Sequence, residues 1–512
     1  MAPAGRDSDQ CRLESALQAV LHRRGQPPLY LAGGAVRDRL GGGSRSPEED
    51  FGLSRDLDFT LPAGAVAFAR ELSFELGGTL VVLDRQHDVA RVVWRGRELD
   101  FAAFREGAGS IEEDLARRDF TINAMAWWLN PAGEALTLTM GASPGNAPSG
   151  RLLDPCNGRV DLATGLIRVT GPEAFRADPL RLLRAYRFQA VLGFDLEPET
   201  EGLLGSCAAG IDTVAVERIR AELDEIMAAP AGVRALTAMA ASGLLSRVLP
   251  ELAAGCGLAQ PDSHHLDVAG HSLETLAQLM AVLAAPARFF PDSHYHLVAY
   301  CDDPGHSHRE LALRWAALLH DVGKPATGSR RGGRLTFYHH DRVGAELCDR
   351  LARRLRFSRS RRNLLQLLVR HHMWPFHLNN ARRRTGIKPR ACLRLVRAMG
   401  DDLPALFLLA MADSLAGRGP GKPPAMEAEL AALHAEVMRV AEEHLAPVLR
   451  RPPLLNGHDL REELGLTPGP CFKEILDGLE QARVDGAVVT RGEALAWVRN
   501  FLATRATPNQ RQ

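Results

Sequence analysis

The 512-residue sequence carries no net charge, since 62 Lys and Arg balance 62 Asp and Glu. A globally basic surface, the usual electrostatic footprint of a nucleic-acid binder, is therefore excluded, and any such surface must be local. The 8 cysteines are scattered, with no Cys-x-x-Cys pair. That pattern excludes a zinc ribbon or a disulfide framework and fits reduced thiols. No uncharged apolar run reaches the ~18 residues a membrane span needs. Residues 1–10 are polar and hold no apolar signal core. The expectation is a cytoplasmic protein with no membrane association. A hydrophobic content of 46% and a charged content of 24% are ordinary, and the length suggests about three to four domains. Arginines gather locally at 181–187, 351–362 and 382–397, although any one such cluster reads first as a solvated helix face.

Against this neutral background one stretch stands out, Arg55-Asp-Leu-Asp-Phe-Thr60. Read as a strand, it points Asp56 and Asp58 to the same face, because side chains alternate with period 2. Adjacent like charges repel, and a cation between them relieves the repulsion. Hard divalent ions such as Mg²⁺ are held by one or two carboxylates together with substrate phosphates. Alone, Asp-x-Asp is most often a solvated turn. Upstream, the apolar Leu29–Ala32 stops at Gly33-Gly34 and continues as Ala-Val-Arg37-Asp. Strand, glycine turn and helix start make a phosphate cradle in which backbone approaches closely and Arg37 offers a guanidinium fork. Cradle and carboxylate pair together point to metal-assisted nucleotidyl transfer. Strands are expected at Thr79–Leu83, Val89–Trp94 and Glu98–Phe101, with Asp100 a candidate third carboxylate.

Gly33-Gly-Ala-Val-Arg-Asp followed by Asp56-Leu-Asp resembles the signature of class II tRNA nucleotidyltransferases and bacterial poly(A) polymerases, in the polymerase-β-like superfamily. The resemblance extends along the chain. Arg117-Arg118-Asp119, within Ile111–Ala126, resembles the motif contacting the incoming nucleotide's ribose and triphosphate. Asp154-Pro-Cys-Asn-Gly-Arg-Val-Asp-Leu resembles the head–neck junction. Asp178 and Arg181 match the Asp and Arg of the family's Glu-Asp-x-x-Arg motif, with Ala177 in place of the leading Glu. A carboxylate accepts from an exocyclic amine while a guanidinium donates to the adjacent ring nitrogen. Cytosine and adenine present that order on their Watson–Crick edges, and uracil and guanine present its reverse. Such a pair admits CTP and ATP and leaves wrong bases with unpaired polar groups. By the same resemblance Arg184 and Arg187 neutralise triphosphate, and Glu217 and Arg218 are structural. Two departures stand out. Residues 41–54 are longer than the usual connector, and only Arg105–Ser110 separates Phe104 from Ile111, where the family carries a flexible loop linked to the switch from CTP to ATP.

From His271 the chemistry changes. His271, His320-Asp321, His340, His371-His372 and Asp413 resemble, in that order, the HD phosphohydrolase superfamily, whose helices converge His and Asp on one or two divalent metals that activate water. The resemblance gives His271, His320, Asp321 and Asp413 to one metal and His340 and His371 to a second, with the neighbours His339 and His372 as alternatives. Lys324 is a candidate phosphate contact. Residues 284–308 read as an inserted loop whose histidines are bystanders.

The fold class that follows is an α/β head with a small mixed sheet, then all-α neck, HD and tail domains. The expected boundaries are 28–170 for the head, 171–255 for the neck and RNA-binding helices, 256–425 for the HD domain and 430–505 for the tail. The implied activity is template-independent addition of C, and of A, to the tRNA 3′ end. Its partners are tRNA, CTP and ATP, with Mg²⁺ at the head and one or two divalent metals at the HD site. Rival readings are a poly(A) polymerase and an RNA-binding HD phosphohydrolase. Shortening of the 104–111 connection favours an enzyme that stops after two cytidines.

Overall fold

In this computed structural model the residues described are 7–41, 56–132, 136, 138, 151–304, 308–332, 334–387, 389–445, 452–467, 469–484 and 486–506. The longer connector expected at 41–54 falls largely outside them. The chain divides into two compact units, Met1–Pro250 and Glu251–Gln512.

The first unit opens with helix α1 (Asp7–Arg23), strand β1 (Tyr30–Ala32) and helix α2 (Gly34–Leu40). After β2 (Asp56–Leu61) come helix α3 (Ala65–Leu76), β3 (Thr79–Asp84), β4 (Val89–Trp94) and β5 (Arg97–Ala103). Helix α4 (Ile111–Ala116), β6 (Ala126–Trp128) and β7 (Leu152–Leu153) complete the head. The strands form one sheet in the order β3-β4-β5-β2-β1-β6-β7. It is mixed, because β2 pairs antiparallel with β1 and parallel with β5. Leu57, Phe59 and Leu61 turn to one face and are buried with Phe101, Phe68 and Leu72, beneath Leu13 and Leu17 of α1. Phe59 and Phe101 stack at 4.8 Å. On α3 the buried Ala65, Phe68, Ala69, Leu72 and Leu76 follow the helical repeat. Asp88 caps that helix from a distance, accepting from the amides of Ala65 and Val66 at 2.8 Å each. With the apolar face covered, the opposite face is left to Asp56 and Asp58. Parallel register sets Asp58 opposite Asp100 and Asp56 opposite Glu98.

The rest of this unit is helical. Helices Arg181–Leu192, Val216–Ala228 and Gly232–Ala241 pack together through buried Leu182, Leu183, Leu223, Ile226 and Leu236. Two ion pairs stitch the first helix region to the second: Arg187–Glu222 at 2.7 Å and Asp178–Arg218 at 2.9 Å.

The second unit surrounds helix Leu403–Ala416, which is buried on every side. A helix apolar all round belongs in a core. Helices Val268–Ala284, His308–Leu319 and Arg359–His371 pack around it. Helix Met426–Val440 joins them, with Leu430 and Leu433 buried and Glu429 accepting from Asn379 at 2.7 Å. The packed bundle therefore runs past residue 425. Residues 284–308, expected as a loop, are largely helical where described, with helices Pro286–Phe289 and His294–Cys301. The local proline and mixed polarity hid them. Ser293 Oγ bonds His434 Nδ1 at 2.7 Å, with both residues buried, so the segment is tied into the bundle. A hairpin, Ser329–Arg331 with Arg334–Thr336, interrupts the helices. The C-terminal helices Gly457–Glu462, Pro470–Val484 and Arg491–Ala506 share a small core of Leu455, Leu460, Ile475, Leu479 and Val498. Among the described residues no helix is long and apolar enough to cross a membrane.

Candidate active sites

In the head, the turn after β1 brings the cradle against the carboxylates. Gly33 has φ 77°, and a Cβ placed there would meet Asp58 Oδ2 at 3.2 Å and an Arg118 guanidinium nitrogen at 3.3 Å. Glycine is required here twice over, for its left-handed backbone and for the missing side chain. Arg118 is buried. It donates to Thr60 Oγ1 at 3.0 Å and to Asp114 at 3.3 Å, and burial lowers its pKa to about 10. Desolvation among the strands raises the pKa of Asp58; Asp100 and Asp56 add repulsion, which Arg118 opposes. A carboxylate pushed in that direction is one that a bound cation would relieve.

Asp100 shares the face of Asp58, but its two oxygens are forked by Arg91 at 2.7 and 2.9 Å, and Arg91 also pairs with Glu98. Asp56 is exposed. Among the described residues, groups of three or more donors within 4.8 Å of one another occur at two places, both in the second unit. The head carboxylates thus share a face without closing into a cage, a donor set that suits a divalent ion completed by substrate oxygens.

A polar chain runs from the cradle towards the helical part. Arg37 donates to Asn123 Oδ1 at 2.8 Å, Asn123 to Asp119 Oδ1 at 3.2 Å, and Arg184 to Asp119 Oδ2 at 2.9 Å. Burial alone would raise Asp119, yet Arg184, Asn123 and the Phe120 amide hold it at about 2. Nothing in the sequence marks out Asn123 individually, although it lies inside the quoted 111–126 motif. Arg184 and Arg187, assigned to triphosphate, are already committed to Asp119 and Glu222. Arg181 donates to the backbone carbonyls of Arg117, Arg118 and Ala174 at 3.1–3.3 Å, so its guanidinium is held in place by main chain. Asp178 accepts from Arg218 and from the Leu180 amide.

The connection from Phe104 to Ile111 is tied down. The Arg105 amide donates to Asp114 Oδ1 at 2.9 Å and its guanidinium forks the same carboxylate. Ser110 caps α4 through the Glu113 amide, while Glu113 accepts from the Gly109 amide at 2.9 Å.

The second centre is a closed cluster. His271 Nε2 lies 2.9 Å and His320 Nε2 3.8 Å from Asp413 Oδ1. Asp321 spans both halves of the cluster. Its Oδ2 lies 3.2 Å from His320 and 3.8 Å from His271, and its Oδ1 lies 3.4 Å from His340 and 3.8 Å from His372. The two groups that converge are His271, His320, Asp413 and Asp321, His340, His372. Here the structure corrects one assignment: His372 enters the cluster, and His371 lies outside it, 5.2 Å from the Trp374 ring. The helix geometry explains the exchange. Adding seven, four and three to the buried Leu365, Leu368 and Val369 reaches 372, which is the signal the sequence offers.

Three of these histidines are fixed in the same way. Nδ1 of His320, His340 and His372 bonds the carbonyl three residues earlier, at 3.0, 2.8 and 2.7 Å. Each Nε2 is thereby left facing the cluster, as metal-ligating histidines require. His320 Nε2 is buried with no hydrogen-bond partner, so a divalent ion fits the donor set. Burial would raise Asp321 and Asp413, but His320 holds both below the usual carboxylate range, with Lys324 and His340 contributing at Asp321 and His271 at Asp413. Lys324 donates to Asp321 Oδ2 at 2.6 Å and to Gln260 at 2.7 Å.

Cradle, same-face carboxylates and a separate His/Asp cluster define a two-centred protein of phosphoryl chemistry: a nucleotidyltransferase head joined to an HD domain. Comparison with known families agrees. Residues 29–168 match the poly A polymerase head domain, 193–256 the "Probable RNA and SrmB- binding site of polymerase A", and 268–416 the HD domain. An A-adding tRNA nucleotidyltransferase of Deinococcus radiodurans is 36% identical over 93% of this chain and 96% of its own. A CC-adding tRNA nucleotidyltransferase of Thermus thermophilus is 33% identical over 92% of each chain. The fold resembles that of a CCA-adding enzyme solved with ATP, with a TM-score of 0.58 and 21% identity over 97% of this chain and 96% of that one. The chain belongs to the tRNA nucleotidyltransferase family.

Proposed function

We propose that this enzyme adds cytidine to the 3′ end of tRNA from CTP and stops before the terminal adenosine. The observation that carries this reading is the fixed connection between Phe104 and Ile111, in which Arg105, Ser110 and Glu113 are each bonded to α4 or to one another. A segment held this way offers no lever to re-aim the base-reading pair from a smaller base to a larger one. Asp178 and Arg181 would read the base, with Arg181 pre-oriented by three carbonyls. Gly33, Gly34, Arg37 and Arg118 would meet the phosphates, and Asp119 the ribose. Asp56 and Asp58 would hold Mg²⁺, which supplies charge for the attacking and leaving oxygens. Asp100 would join them only with its Arg91 fork opened. Arg184 and Arg187 act through their carboxylate partners, fixing the helix that carries Arg181.

The HD cluster supports a second activity, divalent-metal-dependent phosphoester hydrolysis, with His271, His320, Asp321 and Asp413 around one ion and His340 and His372 toward another.

A second reading of the head, addition of adenosine alone, is favoured by the name of the Deinococcus relative. One experiment separates them: tRNA lacking all three terminal nucleotides, and tRNA already ending in CC, are incubated with CTP and ATP and the products sequenced. The expected outcome is CC on the first and no extension of the second. Adenosine on the second alone gives the A-adding reading, and efficient completion to CCA on the first overturns single-nucleotide specificity.

A further inference from the structure

One row of paired residues crosses the sheet of the head. Asp58 of β2 stands opposite Asp100 of β5, Asp100 opposite Arg91 of β4, and Arg91 opposite Val81 of β3. The next row runs through Asp56, Glu98, Val93 and Thr79. Directly opposed residues project from the same face, so the carboxylate face continues across β4 to the edge strand β3. The other face is the buried one, where Leu99, Phe101 and Val92 share a core with Phe68 of α3.

The far end of this open face is apolar. Val81 is 41% exposed, Leu83 49% and Val93 37%. β3 and β4 pair antiparallel, and an antiparallel edge turned to water ordinarily alternates apolar inside with polar or charged outside. Neighbouring exposed aliphatics at such an edge mark a surface that something covers. Between them and the carboxylates stands Arg91. Its guanidinium is held by Asp100 and Glu98 and retains N–H groups beyond those it spends on them, which suits it to a backbone phosphate.

The reaction says what comes to this face. In phosphoryl transfer the attacking and leaving oxygens lie roughly in line, on opposite sides of the phosphorus. Gly33, which follows β1, lies against Asp58 on one side of β2, and β5 lies on the other. A triphosphate in the Gly33 cradle puts its leaving group on the β1 side, and the attacking 3′-hydroxyl then arrives over β5. With strands about 4.8 Å apart, Val81 lies about 14 Å from Asp58 across the sheet. That is the span of a few nucleotides at roughly 3.4 Å per stacked residue.

We propose that the β4–β3 half of the open face is the subsite for the end of the acceptor RNA. The last nucleotides lie across Val93, Val81 and Leu83, a backbone phosphate meets Arg91, and the 3′-hydroxyl enters over Asp100 towards Asp58. This rests on the reading of Asp56 and Asp58 as the metal site of nucleotidyl transfer.

The test uses the full-length protein and a tRNA that lacks its three terminal nucleotides and carries 4-thiouridine as its last residue. The complex is irradiated without CTP, and the attached peptide is mapped by mass spectrometry. Attachment at Val81, Leu83 or Val93 is expected, and attachment confined to other segments overturns the subsite. Steady-state extension of the unmodified tRNA gives a second readout. Val81→Asp replaces an apolar contact with a charge that repels the RNA backbone, and raises KM for tRNA about tenfold with a smaller change in KM for CTP. Val81→Ile holds both values. An unchanged KM for tRNA in Val81→Asp, or an equal rise in both KM values, overturns the subsite. A dimer that Val81→Asp dissociates, with KM for tRNA unchanged, assigns the apolar patch to a second copy of the chain and likewise overturns it. Asp58→Ala keeps the two readings apart, because crosslinking needs no catalysis. Addition that survives in Asp58→Ala sinks the metal site, while attachment at β3 and β4 in the same variant still upholds the RNA subsite.

Discussion

In the head, carboxylates lie side by side on the open face of a sheet, and one of them, Asp100, is spoken for by Arg91. In the HD unit, carboxylates and imidazoles are buried, and three of the rings are locked from behind by carbonyls. On the activities proposed above, the contrast fits what each centre must accept. A transferase whose nucleotide arrives with its own phosphates needs the protein to supply only part of a metal's coordination. A hydrolase that activates water must supply most of the ligands itself and fix them beforehand. The first centre can thus stand on exposed strand residues, and the second needs the interior of a bundle.

The head's side of this contrast stands or falls with Asp58. Asp58→Ala is expected to reduce nucleotide addition at least a thousandfold, since several kcal/mol of charge stabilisation are lost and each 1.36 kcal/mol is about tenfold. Affinity for tRNA should persist, because Asp58 offers no donor to RNA. The check is single-turnover extension of truncated tRNA beside a filter-binding titration. Near-normal extension would mean the same-face pair is not the metal site.

In the HD unit the same deletion should cost stability as well as activity. Asp321 faces His271, His320, His340, His372 and Lys324 at once. Removing it leaves buried positive groups uncompensated, a change worth about 3–5 kcal/mol. Asp321→Ala should therefore abolish phosphoester hydrolysis, lower the unfolding midpoint of the second unit, and remove the rise in that midpoint that added divalent metal gives the wild type. Nucleotide addition should continue. Loss of addition in a folded Asp321→Ala protein would show that the two centres are not independent.

How much of this is readable from sequence differs between the centres for a physical reason. The head's carboxylates sit on a strand, where period 2 fixes the face of every residue, so Asp56 and Asp58 pair from spacing alone, and the parallel register places Asp100 beside them. The residues of the HD cluster come from five separate segments, and at a helix end one residue's shift rotates the side chain by about 100°, which is how His372 displaces its neighbour. Partners also escape the sequence. Nothing in the order of residues says that Arg91 forks Asp100, or that Arg184 directs its charge to Asp119 and not to phosphate, because such pairings are decided by tertiary packing. The short helices within 284–308 are hidden in a proline-bounded, mixed-polarity segment with too few turns to show a period.

The smallest expected effect separates a centre open to solvent from the buried scaffold behind it. Asp119 is the head carboxylate held well below its usual range, at about 2, by Arg184, Asn123 and the Phe120 amide acting against burial. Its unfolded value is about 3.9. A folded pKa depressed below the unfolded one contributes stability that is present above pH 4 or so and is lost as pH falls through about 2. At about 1.4 kcal/mol per unit, a shift from about 3.9 to about 2 contributes roughly 2–3 kcal/mol near neutrality. Asp119→Asn should therefore be less stable than wild type at pH 7 by about that amount, and the gap should close as pH drops from about 4 to about 2. Denaturant midpoints of the two full-length proteins across that range measure it. A gap that stayed constant with pH would assign the loss to the altered hydrogen bonding of the substituted amide, with Arg184's charge playing no part.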